Sequence, residues 1–453
     1  MDRRLIILAL GMFALGTDSF VIAGVLPEIS QSFQVSVGAA GQLTTVYAIA
    51  YALLSPTAAA VFAHIERKKL MLSGLGIFIL ANLATAWAPN FAFALVARAL
   101  AGLGAAIYAP TATGSGASLM PPEKRGFALS IVIAGLTFST ALGSPIGTLI
   151  GGLADWRWTM VFVSAISVVA ALGITVSLKD IPTPPSISLK QRLAPFADRR
   201  IGLTLLTTFF FQAGNFALYT YFAVIFGRVT HGNTLILGLL LVLWGVSGTV
   251  MNLVGGRLVD TIGTRKVLVF MSFALIAVTA TLSWTSAALA TAIVAVVIHG
   301  ATSWGQLAAQ QHRLVSIMPT AVPIVLGLNT SATYVGVASA GVIGGASLTL
   351  IGVQSIGWIS MVLYVGALIV AEIVHRLIAA GASSDRKAER AEAPAFAARC
   401  RSSATSDDVI STTRVAGRRP RSSWVASRPS MSGMWISIRT TSGENNRASA
   451  MAC

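Results

Sequence analysis

Apolar windows about as long as a bilayer is thick recur twelve times along this chain, and no other feature restricts its fold as strongly. They lie near 5–26, 41–62, 70–88, 91–118, 127–150, 159–178, 201–225, 234–254, 267–285, 287–311, 324–348 and 359–378, with short polar breaks between them. A hydrocarbon core of about 30 Å takes about 20 apolar residues in helical form and offers no water to an open backbone, so each run reads as a membrane-spanning helix. Composition agrees: of 453 residues 55% are hydrophobic and only 11% charged, and mean hydropathy is +0.76, too apolar for a soluble domain of this size. The expected fold is an all-α membrane protein with twelve transmembrane helices. The first run follows Asp2-Arg3-Arg4 as in a signal peptide, yet it is about 20 residues long and has no clear small-residue cleavage site, so it is expected to be a retained span.

A formal net charge of +16 suggests nucleic acid at first sight, but the basic residues fall in short clusters between apolar runs rather than on one face. Topology accounts for them better. Even-numbered connections carry Arg67-Lys68-Lys69, Lys124-Arg125, Lys179 to Arg200, Arg265-Lys266 and Arg313, whereas odd-numbered ones show only Arg157 and Arg228. The positive-inside rule then puts the basic loops and both termini of this multi-pass protein in the cytoplasm. Both cysteines, Cys400 and Cys453, lie beyond the last apolar run, leaving the spans without a thiol for a disulfide, a nucleophile or a thiolate metal site.

The longest internal break, KDIPTPPSISLKQRLAPFADRR, is rich in Pro and charge and divides six spans from six. Displacing the chain by 197 residues lays AHIERKKLML (63–72) on DTIGTRKVLV (260–269), Gly147 on Gly344 and Asp18 on Asn215. That supports an internal repeat. The expected organisation is a six-helix bundle over 1–178, a cytoplasmic linker over 179–200, a pseudo-symmetric second bundle over 201–380, and a basic tail over 381–453. The tail is rich in Arg, Ser and Ala and is expected to be disordered; a solvated extension without a transport role and a contact for anionic lipid are its two readings.

Within this frame one charge stands out. Asp18 lies mid-way along the first apolar run, where an ionised Asp costs roughly 2.5–3.5 kcal/mol on insertion scales and by default faces a cavity or a partner. Among acidic residues before Gly381 it is the only deeply placed one, since Asp2, Glu66, Glu123, Asp180, Asp198 and Asp260 fall in cytoplasmic segments, Glu28 and Asp155 at the outer face, and Glu372 near the end of span twelve. Arg98, the only Arg or Lys at depth, is eight residues from the outer end of span four, as Asp18 is from that of span one. Both should sit about 12 Å below the outer surface, at a depth that permits pairing. A carboxylate whose charge changes with exposure suits a proton carrier; a fixed ion pair holding two helices together is the other reading.

Four stretches together resemble the major facilitators of the twelve-span drug/proton antiporter family, the chloramphenicol exporters in particular: FALGTDSFVIAGVLPEI, VARALAGLGAA, ALGSPIGTLIGGLADWRW and GGRLVDTIGTRK. The resemblance covers about residues 5 to 380. It implies two six-helix bundles around a midplane cavity lined by spans one and four, with Arg98, Gly102 and Gly104 matching an RxxxGxG setting in which the Arg takes part in proton coupling. Gly143, Pro145 and Gly147 match the antiporter motif of span five, where glycines allow close approach and the proline bends the helix. Ser144 and Thr148 depart from it, standing where the family has glycine. After span eight, Gly256, Asp260, Gly263, Arg265 and Lys266 belong to a nearly intact loop motif in which glycines turn the chain and Asp260 forms a charge latch; a purely topological role for the basic residues is the alternative. The counterpart after span two is degraded, with Ala59, Ala63 and Glu66 in place of Gly, Asp and Gly.

Polar and aromatic residues at helical spacing mark candidate binding faces. Thr44, Tyr47, Tyr51 and Ser55 share a face of span two, Phe211, Asn215 and Tyr219 of span seven, His299, Ser303, Gln306 and Gln310 of span ten, and Asn329 and Thr333 of span eleven. Such faces avoid lipid and offer hydrogen bonds and aromatic walls to an amphipathic neutral solute, although interhelical bonding uses the same residue types. His299 is either a second proton site or simply hydrogen-bonded. The resulting expectation is a monomeric, proton-driven exporter of small drugs, with chloramphenicol or a related phenicol implied by the resemblance. It has small-molecule drug, proton and membrane lipid as partners and takes no nucleic acid, cofactor or metal. Transport of a sugar, nucleoside or other metabolite is the nearest rival, and a non-transporting scaffold or receptor is the rival of another class. No nucleophile–base pair, metal cluster or phosphate loop points to an enzyme.

Overall fold

In the computed structural model, which describes residues 2–62, 65–121, 124–178, 181 and 189–380, each expected apolar run is a helix. The spans are α1 (Arg3–Gly24), α2 (Val37–Thr57), α3 (Arg67–Ala86), α4 (Phe91–Ser118), α5 (Arg125–Leu153), α6 (Trp156–Ser177), α7 (Arg199–Thr220), α8 (Thr234–Ile262), α9 (Thr264–Ala280), α10 (Leu289–Ile317), α11 (Pro319–Leu350) and α12 (Ser355–Ala380). Eleven are long and apolar enough to cross a membrane by length and composition; α9, of 17 residues, sits at the short end of the spanning range and is followed by the single turn Leu282–Thr285. No strand occurs among the described residues. Side chains such as Leu80, Val169, Leu172 and Phe270 are more than half exposed on outward helix faces, the surface a lipid solvent would cover.

Helix ends follow local chemistry. The side chains of Asp2, Asn90, Asp155, Asp198 and Asn233 accept backbone N–H bonds at the starts of α1, α4, α6, α7 and α8. Pro145 cannot donate to the turn before it, and five residues of wide π-helix, Ser139–Gly143, take up the mismatch inside α5.

Within the first six spans α1 packs on α5 and α6, α2 on α4, and α3 on α4 and α6; within the second six, α7 packs on α11, and α10 on α8 and α9. The two sets meet where α2 lies along α11 and α5 along α8. Corresponding contacts recur: Gly102 of α4 abuts the Tyr47 carbonyl of α2, and Gly300 of α10 abuts the Trp244 carbonyl of α8. Tyr47 and Trp244 are related by the 197-residue displacement. Tail residues 381–453, most of the linker (179, 180 and 182–188) and Ala63 lie outside the described residues, and so do their expected properties.

Since the spans run alternately, the bundle has a near face, where α1 begins at Arg3, and a far face, where it ends at Gly24. The far face is closed across the two sets. Gln42 Nε2 donates to the Gly341 carbonyl at 3.1 Å, a methyl at Gly38 would stand 2.9 Å from the Gly345 carbonyl, and the Tyr221 hydroxyl, which donates to Gly341 within the second set at 2.8 Å, abuts Gly41 of the first.

One expectation about the near face is corrected. Gly256 does not turn the chain, because α8 continues through it to Ile262, and only Gly263, at φ 88°, makes the turn. Asp260 is exposed on the last turn of α8 and forms no ion pair among the described residues. Arg265 is held instead by Glu372 of α12, through Nε at 3.1 Å and Nη2 at 3.0 Å. Lys266 follows it in the first turn of α9.

Candidate functional site

The deep acidic and basic residues meet. Asp18 of α1 and Arg98 of α4 are 0% and 1% exposed, and Arg98 Nη1 donates to Asp18 Oδ1 at 2.6 Å. Small residues make the approach possible. Gly102 lets α4 rest on the α2 backbone, and a methyl at Gly104 would lie 2.7 Å from the Gly74 carbonyl of α3, so the RxxxGxG pattern wedges α4 between two neighbours with Arg98 one turn before the contact. Arg98 Nη1 also lies 3.3 Å from Asn82 Oδ1 of α3, whose amide nitrogen donates to the Phe78 carbonyl at 3.1 Å. The guanidinium carbon stands 4.7 Å above the Tyr47 ring, a cation–π contact.

The pair is incompletely satisfied. Asp18 Oδ2 and Arg98 Nε have no hydrogen-bond partner among the described residues, whereas buried polar atoms usually do. A proton on that carboxylate would weaken its hold on Arg98.

On the other side of α1 an aromatic cluster spans both helix sets. Phe20 stacks on Phe216 at 5.8 Å and meets Tyr219 edge-on at 5.4 Å; Tyr219 lies 4.5 Å from Trp244, and Trp304 is 6.5 Å from Phe20. Ser144 and Tyr219 join α5 to α7 by a hydroxyl–hydroxyl bond of 3.1 Å. A residue that departs from the antiporter motif thus makes a bond glycine would lack. Gly143 abuts Thr17 and Gly147 abuts Val21, so this segment of α5 lies directly on α1; Thr148 is buried against Gly24.

The expected binding faces divide. Tyr47 lies under Arg98 and adjoins Tyr51 and Tyr334 of α11, and Tyr219 lies in the aromatic cluster. The others are engaged inside the second helix set. Phe211 packs on Leu275, Tyr364 and Ala367. Asn215 Oδ1 accepts from Ser303 at 2.9 Å, Gln306 Nε2 donates to Ser272 at 3.2 Å, and Asn329 Oδ1 accepts from Thr208 at 2.8 Å. His299 Nδ1 accepts from the Trp244 indole at 2.9 Å and Nε2 faces Tyr364 Oη at 3.2 Å. The indole can only donate, which assigns the proton of a neutral ring to Nε2.

Sequence reasoning passed over Ser19, whose hydroxyl donates to Tyr47 Oη at 3.2 Å, and also Phe20, Asn82, Trp244, Trp304 and Tyr334. Asn82 carried a usable signal, as an amide within an apolar run. The aromatic residues carried none, because a ring facing lipid and a ring facing a partner look alike in a span.

A family model described as Major Facilitator Superfamily matches residues 8–320 and 204–438. An uncharacterized MFS-type transporter of Bacillus subtilis, YbcL, is 28% identical over 79% of this chain and 91% of its own length. A probable sugar efflux transporter of Mannheimia succiniciproducens is 27% identical over 80% and 90%, and a chloramphenicol resistance protein of Streptomyces lividans 31% identical over 57% and 67%. Among solved structures, a bacterial homologue of the human lysosomal transporter Spinster, inward-facing and unoccupied, superposes with a TM-score of 0.62 at 19% identity, covering 83% of this chain and 96% of that one.

Proposed function

Because the chain belongs to the Major Facilitator Superfamily, we propose that it exports small drugs, phenicols of the chloramphenicol type foremost, in exchange for protons. The observation that carries this reading is the Asp18–Arg98 pair, a buried carboxylate with one oxygen bonded to a cation and the other free. The near face is cytoplasmic, as the basic loops require, and the protein sits as a monomer in a bacterial-type inner membrane with both termini inside. Residues 1–178 and 201–380 are the two bundles that rock about the pair, joined by the linker 179–200.

The cycle needs few parts. With the far face shut, a neutral amphipathic drug enters from the cytoplasm toward Tyr47, Tyr51 and Tyr219. Rocking breaks the far-face bonds, among them Ser144–Tyr219 and Gln42–Gly341, and exposes Asp18 to the outside. A proton on Asp18 loosens Arg98, the drug leaves, and the protonated protein returns to release its proton inside. An uncharged drug fits, because Asp18 is then not required as its counter-ion. The Arg265–Glu372 bond ties α9 to α12 within the second bundle at the near face, with Lys266 contributing charge and Gly263 the turn. The remaining polar residues of α7, α10 and α11, including Asn215, His299, Gln306 and Asn329, keep the second bundle rigid beneath the site. Names of distant relatives support drug and sugar export alike, so sugar efflux is the second reading.

The test uses the unmodified protein and Asp18→Asn in a drug-sensitive host, measuring chloramphenicol accumulation with and without a proton uncoupler. Accumulation should fall several-fold only with the unmodified protein and only while cells are energised. Full export by Asp18→Asn would falsify the coupling role. Counterflow in liposomes that responds to sugars but not to phenicols would favour the second reading.

A further inference from the structure

The rings of Tyr51 and Tyr334 lie face to face, with centroids 3.8 Å apart and planes 21° from parallel. One belongs to α2 and the other to α11, so the stack joins the two helix sets, and Tyr334 packs against both of the largest apolar cores. Tyr47 lies 6.5 Å from Tyr51 and 6.4 Å from Tyr334, with its own ring under the Arg98 guanidinium. A continuous series of contacts thus runs from the buried ion pair to the stack.

Depth places the stack on the near side of that pair. Asp18 is six residues from the far end of α1 at Gly24, Tyr51 fourteen from that of α2 at Val37, and Tyr334 sixteen from that of α11 at Leu350. At ~1.5 Å per residue Asp18 and Tyr51 are about 9 and 21 Å deep, and Tyr334, eleven residues from the Gly345 that meets Gly38 at the start of α2, lies about 17 Å below that contact. Beyond the ion pair, the far face is closed by backbone-to-backbone approach at Gly38 and Gly345. On the near side, closure at this point is one ring from each helix set.

A face-to-face ring contact has a chemical preference that an aliphatic contact lacks. A planar π-system entering between the rings replaces one stack with two, whereas a saturated group breaks the stack and restores none of its quadrupole matching. We propose that Tyr51 and Tyr334 form an aryl clamp, in which the planar ring of a neutral solute slides between the two phenols and Tyr334 sets the preference for ring-bearing substrates. The clamp rests on the export reading and deepens it: the substrate class is a neutral amphiphile with one exposed flat aromatic ring. Empty, the two rings close on each other and keep the near side of the ion pair shut; loaded, they separate by the thickness of the guest. The ring rather than the hydroxyl is the working part, so phenylalanine serves at position 334.

Equilibrium binding to the purified full chain tests this, using chloramphenicol and its counterpart with the phenyl ring saturated to cyclohexyl. The unmodified protein and Tyr334→Phe should bind the aryl compound about tenfold more tightly than the cyclohexyl one. In Tyr334→Leu the ratio should fall to within about twofold, through weaker binding of the aryl compound, and Tyr51→Leu should reproduce the loss independently from the other helix set. An unchanged ratio in both leucine variants, or no aryl preference in an unmodified protein that exports chloramphenicol, overturns the clamp alone. Absence of uncoupler-sensitive export of either compound by the unmodified protein overturns the export reading, and the clamp with it.

Discussion

A charge buried between apolar helices is tolerated only in company, and the company of Asp18 is specific. Arg98 holds one of its oxygens, Asn82 shares the same guanidinium nitrogen, and Tyr47 lies under the cation. Removing one member of such a buried pair generally costs about 3–5 kcal/mol because the remaining charge is stranded. Asn82 is the cheaper probe, since its loss leaves the pair intact. Asn82→Leu should lower stability by about 1–2 kcal/mol, read as earlier thermal unfolding in detergent; an unchanged transition would mean that the 3.3 Å contact contributes nothing. Asp18 and Arg98 were legible because charge is so rare in these runs. Tyr334 was not: in a span every tyrosine is amphipathic, and only the fold decides whether its ring meets lipid, solute or another ring.

At the level of elements, the chain spends its small residues where helices must touch. Gly102 and Gly104 seat α4 on α2 and α3, while Gly143 and Gly147 seat α5 on α1. Ser144 was a reason to doubt the antiporter motif, yet its hydroxyl makes a bond between the helix sets that a glycine could not. The loop after α8 misled in the opposite direction, because a motif containing two glycines reads as a turn although the helix continues through the first of them. Capping offers a pH test away from the membrane core. The hydrogen bond from Arg200 holds the Asp198 carboxyl below its usual value, with the backbone N–H of Arg200 adding to it. A depressed folded-state value contributes stability that is complete above the unfolded value of about 3.9 and is lost as pH falls through the folded one. The start of α7 should therefore exchange amide hydrogens equally slowly from neutral pH to about pH 5, after correction for intrinsic rates, and open only in stronger acid. Asp198→Ala should remove that acid dependence and cost about 0.5–2 kcal/mol. The ion pair itself is partly exposed and adds little.

Across the whole molecule, two helix sets are joined through α2 with α11 and α5 with α8. Every proposed step of transport takes place within the twelve spans, so deleting Gly381 to Cys453 should leave uncoupler-sensitive export within about twofold of the full chain; a collapse of export at normal expression would assign the tail a role. The sequence by itself determined the class of fold, because a bilayer leaves few solutions to a chain with twelve apolar runs. It also singled out the two deep charges, since each is an expensive exception to a simple pattern. The tertiary structure alone decided that those charges pair, that His299, Ser303 and Gln306 of α10 bond to neighbouring helices, that Arg265 meets Glu372, and that Tyr51 finds Tyr334. The reason is physical. Helical periodicity gives a residue its face and depth, but its partner depends on how helices far apart in the chain are rotated and set against one another, which close packing settles only when all of them are present.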